Sequence, residues 1–504
     1  MAGIGFELKK LFSKKGVLAT IRAYGYAGMV CAGPMLLGVA LLLGVLLLAY
    51  YYGTARSDRE LLISMITYAL LFSLSVTSIF SMLTTRYTAD TIFEQSEERV
   101  LPSFFGSLAV MLVLGGTGYG IFLYFSGVEL VYQVLSLWFF LTLLVTWTEV
   151  NYLTAVKEYK SIIKVFFVSI VTGFALALVL IYTTPLPIIT SLFIAVNIGY
   201  GLMAVWYFAL IYDYFPEGFG ASLYFLKWGD KYPHLWGIGF FVTAGLFGHL
   251  VIMWSSPLGV QIKGLFYGAP EYDVSALIAF LSILVTTVNF VTSVEVRFYP
   301  EYRTYFTLFN EGGSISDIEN IEKGMLDVLK DELLYLCQKQ AFTTILFVVI
   351  GSILLPRLPL GFNSDMLGMF RVLCVGYALY AIGNSVMLIL LYFSDNYGAF
   401  WCSLGFALFT NIATYIFKFL PAEFYGFGFV IGSALFCIIS FIRLEKYIAK
   451  LKYHVLAEQP VFAVQPNYWM TRLVNRLDVR AQGKQQRRKI AYQKRTEAKH
   501  GLEQ

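Results

Sequence analysis

Apolar runs about as long as a bilayer is thick recur along almost the whole chain, and this leaves few folds open. A helix needs roughly 20 apolar residues to cross the hydrocarbon layer. In lipid, every backbone amide must find its partner within the protein. On that basis about twelve spanning helices are expected, at 20–50, 60–84, 102–125, 130–153, 161–182, 187–211, 234–254, 274–296, 341–358, 366–393, 397–417 and 422–443. The ninth run is short and ends at Pro356, and Arg371 interrupts the tenth. Composition points the same way. Of 504 residues, 58% are hydrophobic and 14% charged, whereas a soluble domain carries about 25% charged residues. The expected fold class is all-α, a polytopic membrane protein with about twelve transmembrane helices. An even count places both chain ends on one side.

An internal echo divides these spans into halves. Asn289–Arg303 reads NFVTSVEVRFYPEYR and ends an apolar run. Far upstream, Thr84–Asp90, TTRYTAD, ends another in the same style. Aligning Arg86 with Arg297 puts Tyr87 on Phe298 and Asp90 on Glu301. Each run would then close the second span of a half-protein, as in transporters built from repeats. Two six-helix bundles related by a pseudo-two-fold axis are the expected result.

Cation placement gives the orientation. With the N-terminus in the cytosol, 31 of the 37 Lys and Arg residues fall on cytosolic segments. The outer side holds Arg56, Arg59, Lys263, Arg357, Arg371 and Lys418. That bias is what the positive-inside rule requires, and it survives removal of the basic tail. The segment 1–19 reads as an amphipathic interfacial helix, with Ile4, Leu8, Leu11 and Phe12 on one face and Lys9, Lys10, Lys14 and Lys15 supplying charge. Ile21–Tyr52 is too long for a signal-peptide core and reads as a retained first span broken at Gly33-Pro34. The first bundle is expected over 20–211 and a cytosolic linker over 212–233, with a surface helix at Ala221–Trp228. The second bundle covers 234–443. It includes a cytosolic loop, 301–340, whose charged helix at Ser316–Gln338 is either a solvated connector or a docking element. Residues 444–504 form a basic cytosolic tail suited to anionic lipid rather than nucleic acid.

Enzymatic chemistry finds little support. Cys31, Cys337, Cys374, Cys402 and Cys437 are odd in number, lack CxxC spacing and read as small buried hydrophobes. His234, His249, His454 and His500 are not spaced to hold a metal, and no phosphate-binding GxxxxGK[ST] loop is present. No cofactor and no metal site are expected.

Polar residues within the spans carry the functional reading, because ionisable groups at this depth are costly unless they face water or a partner. The candidate substrate path comprises Glu149, Asn151, Asn197, His249, Asn289, Glu295, Asn384 and Asn411. Isolated asparagines also serve as interhelical hydrogen bonds, and His249 also reads as a packed neutral histidine. Glu149 and Glu295 lie at similar depths in different halves. They either face one inward-open cavity or pair with Arg86 or Arg297. Arg86, Asp90, Arg297 and Glu301 form a candidate cytosolic gate. Gly115, Gly116, Gly118, Gly120, Gly426, Gly428 and Gly432 permit close helix approach.

Three stretches together carry a family likeness: the opening MAGIGFELKKLF, the AGP at Ala32–Pro34, and SVEVRFYPEYRTYF at Ser293–Phe306. From Met1 to about Lys452 the chain resembles the PelG family of Pel exopolysaccharide transporters. The resemblance implies a multidrug/oligosaccharidyl-lipid/polysaccharide flippase-like scaffold of two six-helix bundles. It also implies export across the cytoplasmic membrane of a polymer rich in N-acetylgalactosamine and galactosamine, partly cationic, for the biofilm matrix. The implied partners, beyond membrane lipid and the Pel polysaccharide, are the cytosolic glycosyltransferase PelF and the membrane proteins PelD and PelE. The resemblance supplies no site motif, so the path residues above rest on chemistry alone. Two other readings stay open: a flippase for lipid-linked oligosaccharide or ion-coupled drug antiporter, and a non-transporting membrane scaffold for the synthase.

Orientation is directly testable. Alkaline phosphatase fused after Gln504 should be inactive and a fluorescent protein there bright, while phosphatase inserted beside Lys263 should be active. The reverse pattern would invert the topology.

Overall fold

The computed structural model describes residues 28, 38–156, 159–358, 361–457 and 468–479, with Tyr159, Glu295, Asn310 and Glu311 described as backbone alone. The interfacial helix expected over 1–19, the Gly33-Pro34 break and the tail beyond 479 lie outside these residues. The first bundle consists of α1 (Gly38–Tyr51), α2 (Arg56–Phe93), α3 (Val100–Phe125), α4 (Leu130–Val156), α5 (Tyr159–Thr183) and α6 (Ile188–Tyr214). A short α7 (Leu226–Lys231) links it to α8 (Leu235–Met253). An antiparallel hairpin, β1 (Val260–Lys263) and β2 (Phe266–Gly268), comes next. The second bundle continues through α9 (Pro270–Phe280), α10 (Leu284–Thr292), α11 (Tyr299–Glu311), α12 (Ile315–Leu354), α13 (Ser364–Tyr392), α14 (Asn396–Phe417) and α15 (Phe427–Ile448). Beyond it lie α16 (Leu451–Ala457) and α17 (469–479). Among the described residues, eleven helices are long and apolar enough to cross a membrane, and α1 is a shorter apolar one.

Each bundle is organised around a central helix. In the first, α2, α3 and α6 surround α4, with α5 against α6. In the second, α13 and α14 flank α15, α8 packs on α14, and α9 and α12 pack on α13. Hydroxyls in these apolar helices bond backward to their own backbone: Thr77 to Ser73 O, Thr84 to Phe80 O, Thr88 to Thr84 O and Thr91 to Tyr87 O. Each donor is thus satisfied without water. Leucines, isoleucines and aromatics cover the outward faces, including Val113, Leu114 and Ile121 on α3 and Phe342 and Ile345 on α12. Glycine sets the closest approaches. A Cβ on Gly428 would lie 2.5 Å from the Thr414 backbone, and one on Gly432 2.5 Å from Thr410 Cα. No larger residue could let α15 approach α14 this closely.

Four local features depart from the sequence expectation. The stretch 301–340 is not a loop around an isolated helix. The eighth span runs on to Glu311, the chain turns at Gly312 (φ 90°), and α12 is one 40-residue helix reaching into the ninth span. Ser314 Oγ caps it by accepting from Asp317 N at 3.2 Å. The linker helix is shorter than Ala221–Trp228 and starts later, because Gly220 (φ 111°) and a run of turns occupy its expected start. It is not a surface helix either: Phe225 and Trp228 are buried against Phe80, Leu83, Tyr87 and Met111. The eighth span is irregular, with a π-helical turn at Ser293–Phe298 just before Pro300. A proline ring clashes with the carbonyl four residues earlier in an α-helix, and a widened turn relieves that clash. The β-hairpin has no counterpart in the sequence expectation. Its strands of 4 and 3 residues are shorter than the mean strand of about 5–6 residues.

Gly428→Val should destabilise the protein by about 1–3 kcal/mol through overpacking, read as a lower thermal midpoint in detergent. Gly118 has open space around its Cβ direction, so Gly118→Val should leave the midpoint within the scatter of surface changes, about 0.5 kcal/mol.

Candidate transport path

The polar residues singled out by sequence divide among three places. Glu149 lies inside the first bundle, 1% exposed. It is 19 residues into α4, about 28 Å along the helix from Leu130, near the lysine-rich end. Among the described residues its Oε2 has no hydrogen-bond partner. The hydroxyl of Tyr207 is within its electrostatic reach and donates to Ile162 O at 2.8 Å. Neither of the two arginines considered as its partner takes that role. Arg86 bonds Asp90 instead, and Arg297 bonds Glu332. An ionised carboxylate in such surroundings needs a compensating charge or a polar ligand. Asn151, two residues on, is half-buried.

Asn197 is also interior to the first bundle. Its Nδ2 donates to Phe193 O at 2.9 Å and across to Leu135 O at 3.3 Å, tying α6 to α4. Its Oδ1 is buried with no partner among the described residues. Asn411 makes a tie of the same kind between α14 and α8 of the second bundle, donating to Ala407 O at 2.8 Å and to Ala244 O at 3.1 Å. His249 is fully buried there. Its Nδ1 is 2.9 Å from Tyr272 Oη, its Nε2 is 3.4 Å from Tyr377 Oη, and its ring packs on Phe429. Asn384 is half-buried on α13.

The third place is the interface of α10 and α12. Lys339 Nζ donates to Asn289 Oδ1 at 3.2 Å and lies over the Tyr335 ring. Thr286 Oγ1 donates to Gln340 Oε1, and Gln340 Nε2 donates to Thr344 Oγ1 at 3.0 Å. At the end of this ladder Arg297 Nη1 meets Glu332 Oε1 at 2.7 Å. By helix rise, Lys339 is about 22 Å and Glu332 about 33 Å from Leu354. The first is therefore within a layer about 30 Å thick and the second at its edge. Glu295 falls on the intervening π-turn; its side chain is outside the described set. Sequence reading misses Lys339, Gln340 and Glu332, because it assigns them to a cytosolic segment, Glu332 on its charged helix and the other two at the segment's end. Their spacing is the available signal, since positions 332, 336, 339, 340 and 343 share one helical face.

The candidate gate residues are also held separately. Arg86 pairs with Asp90 within α2 at 3.1 Å and lies over Tyr232. Asp90 accepts from Trp228 Nε1 at 2.8 Å, so the first-bundle motif is tied to the linker. Arg297 is tied to α12 through Glu332, and Glu301 is exposed.

The two bundles meet along a seam between α2 and α8. Near the lysine-rich end a Cβ on Gly239 would lie 2.2 Å from Ser78 O, and Phe80 packs edge-on to Trp236. Toward the other end Tyr68 stacks on Trp254 with centroids 4.6 Å apart. Tyr68 Oη donates to Tyr267 O and accepts from Tyr267 N, both at 3.0 Å. The hairpin then reaches over the first bundle: Lys263 pairs with Glu129 at 2.9 Å, and Leu265 N donates to Ser126 O at 2.9 Å.

This arrangement is that of a polytopic helical membrane protein built of two bundles. It is similar in fold to a multidrug resistance MATE family transporter of the MOP superfamily in its outward-facing conformation, with TM-score 0.57, 13% identity, and 85% of this chain and 96% of the other covered. A MOP superfamily transporter from Pyrococcus furiosus Vc1 is also similar, with TM-score 0.52, 13% identity and coverage of 84% and 96%. None of the curated proteins compared by sequence matches the chain. Residues 1–456 match the family described as PelG, "Putative exopolysaccharide Exporter (EPS-E)". The chain belongs to the PelG family.

The Arg297–Glu332 contact can be weighed by a double-mutant cycle. With the arginine side chain 60% exposed, Arg297→Ala and Glu332→Ala should show a stability coupling below about 1 kcal/mol. A coupling of several kcal/mol would mean the pair is desolvated in the membrane.

Proposed function

We propose that this protein exports the Pel exopolysaccharide, a galactosamine- and N-acetylgalactosamine-rich and partly cationic polymer, across the cytoplasmic membrane for the biofilm matrix. The observation that carries this reading is the family match over residues 1–456, on a MOP-type fold. The glycosyltransferase PelF would feed the polymer from the cytosolic side, with PelD and PelE as membrane partners. The lysine-rich end, where α11 and α12 extend beyond the hydrocarbon, is the side those partners would approach.

The chemistry available suits such a chain. Tyrosine and tryptophan faces stack on sugar rings, and amides bond hydroxyls. Glu149 and Glu295 would attract amino groups or hold a coupling ion. A long polymer cannot be enclosed and released in one cycle, so it either threads a path held open or advances by repeated small cycles. Both need polar groups along the route, and Thr286, Asn289, Lys339 and Gln340 would supply one wall where α10 and α12 part.

In a deletion strain, the wild-type gene should restore secreted polymer. Glu149→Gln combined with Glu295→Gln should lower secretion severalfold at unchanged membrane levels of the protein. Full secretion by that double variant would sink the carboxylate role. Accumulation of a lipid-linked oligosaccharide on the inner leaflet of the deletion strain would replace polymer export with lipid flipping.

A further inference from the structure

The chain between α8 and α9 does not simply turn back; it makes an excursion over the first bundle. One carboxylate fixes its root in the second bundle. Asp273, in the first turn of α9, accepts from Trp254 Nε1 at 3.0 Å, where the excursion begins, and from Ala269 N at 3.1 Å, where it ends. Between those points β1 and β2 pair antiparallel, Val260 with Gly268 and Gln261 with Tyr267. Gln261 Nε2 donates to Gly264 O at 2.7 Å and braces the tip. With both ends pinned to one side chain and a paired ribbon between them, the segment is a stiff arm rather than a loose loop.

The arm is fitted to the first bundle at α2, α3 and the α3–α4 turn. On α2, Tyr68 Oη takes both outward backbone groups of Tyr267, its O and its N, at 3.0 Å. An edge that would otherwise be open to pairing is thereby closed. On α3, Phe122 lies 5.4 Å from the buried ring of Phe266, which also packs 4.9 Å from Tyr68. At the α3–α4 turn, Leu265 N donates to Ser126 O at 2.9 Å and Lys263 Nζ meets Glu129 Oε1 at 2.9 Å. Gly264 is required at the tip for two separate reasons. Its φ is 58°, and a Cβ on it would overlap Ser126 O. The turn alone asks for the first property; the second serves only the seat on the first bundle.

We propose that this hairpin is a strap across the end of the molecule opposite the lysine-rich one. Rooted in the second bundle and seated on the first, it holds the bundles together there, and its unseating is the step that lets that end open. The seat is made to come undone. Its ion pair is exposed on both partners, 39% at Lys263 and 66% at Glu129, and such pairs hold weakly. Its hydrogen bonds join a hairpin tip to a turn and a hydroxyl to a strand edge, so the strap can lift without breaking a helix or its own pairing. Its consequence for export rests on the transporter reading above, but the restraint itself can be measured without any polymer.

The test uses the full chain in lipid nanodiscs, with native cysteines replaced. Spin labels go on exposed positions at Leu186→Cys, between α5 and α6 of the first bundle, and Glu423→Cys, between α14 and α15 of the second. The unaltered strap should give a narrow distance distribution, and Tyr68→Phe with Gly264→Asn should add a longer-distance population. Phenylalanine keeps the ring on Trp254 and removes only the hydroxyl, while asparagine tolerates the left-handed backbone but not the seat on Ser126 O. Lys263→Arg, which keeps the charge, should match the unaltered protein. An unchanged distribution in Tyr68→Phe/Gly264→Asn would overturn the proposal, since the bundles would then be held without the strap. Equal widening between labels at Arg56→Cys and Leu186→Cys, both within the first bundle, would also overturn it, because the bundle itself would then have given way.

Discussion

How closely α2 and α8 can approach decides whether the two halves hold together. Two bundles in lipid gain nothing from burying apolar surface against each other, since acyl chains are equally apolar; close backbone packing and hydrogen bonds must join them. Gly239 provides the packing, because its missing side chain admits the carbonyl of Ser78. Tyr68 provides the hydrogen bonds, through both backbone groups of Tyr267. Any larger residue at 239 would push the bundles apart at the lysine-rich end, and loss of the Tyr68 hydroxyl would leave the hairpin amide and carbonyl unpaired.

The second bundle also carries irregular backbone. The eighth span changes from α to π geometry at Ser293–Phe298 and continues through Pro300. Within the membrane such irregularity persists only where neighbouring groups or a cavity satisfy the freed carbonyls. The polar ladder on α12, from Glu332 to Thr344, runs beside it. The deformable backbone and the hydrophilic side chains thus coincide.

The membrane fold was legible because helix length and apolar run length are tied by the thickness of the bilayer. The run at 366–393, for example, reappears within two residues as Ser364–Tyr392. Legibility failed where a helix leaves the lipid. Nothing in Ser316–Gln338 breaks a helix before the apolar run begins, so the charged and apolar parts fuse into α12, although hydropathy alone separates them. The linker misled for a related reason. Phe225 and Trp228 look like residues of a surface amphipathic helix, but their partners, Phe80, Tyr87 and Met111, are more than a hundred residues away in sequence. For the candidate path, residue type was visible and direction was not. A single buried Asn or His has the same signature whether it faces a helix neighbour, as Asn411 does toward Ala244 O, or a substrate.

The paired motif shows what sequence symmetry can and cannot carry. Alignment of Arg86 with Arg297 also aligns Tyr87 with Phe298, and both of these rings are fully buried. The ring after the arginine is thus an anchor in both halves, the first with its hydroxyl on Arg99 O, the second within an aromatic cluster of Tyr302 and Phe393. The flanking charges diverge. Asp90 is drawn to Trp228 of the linker, whereas Glu301 stays exposed and Arg297 turns to Glu332. The cause lies in the chain on the C-terminal side of each motif. After Asp90 the helix soon ends at Phe93, leaving the linker room to fold underneath. After Glu301 the helix continues to Glu311, and α12 returns alongside it. The two positions thus share a buried ring, while the charges beside it answer to whatever chain lies next to them.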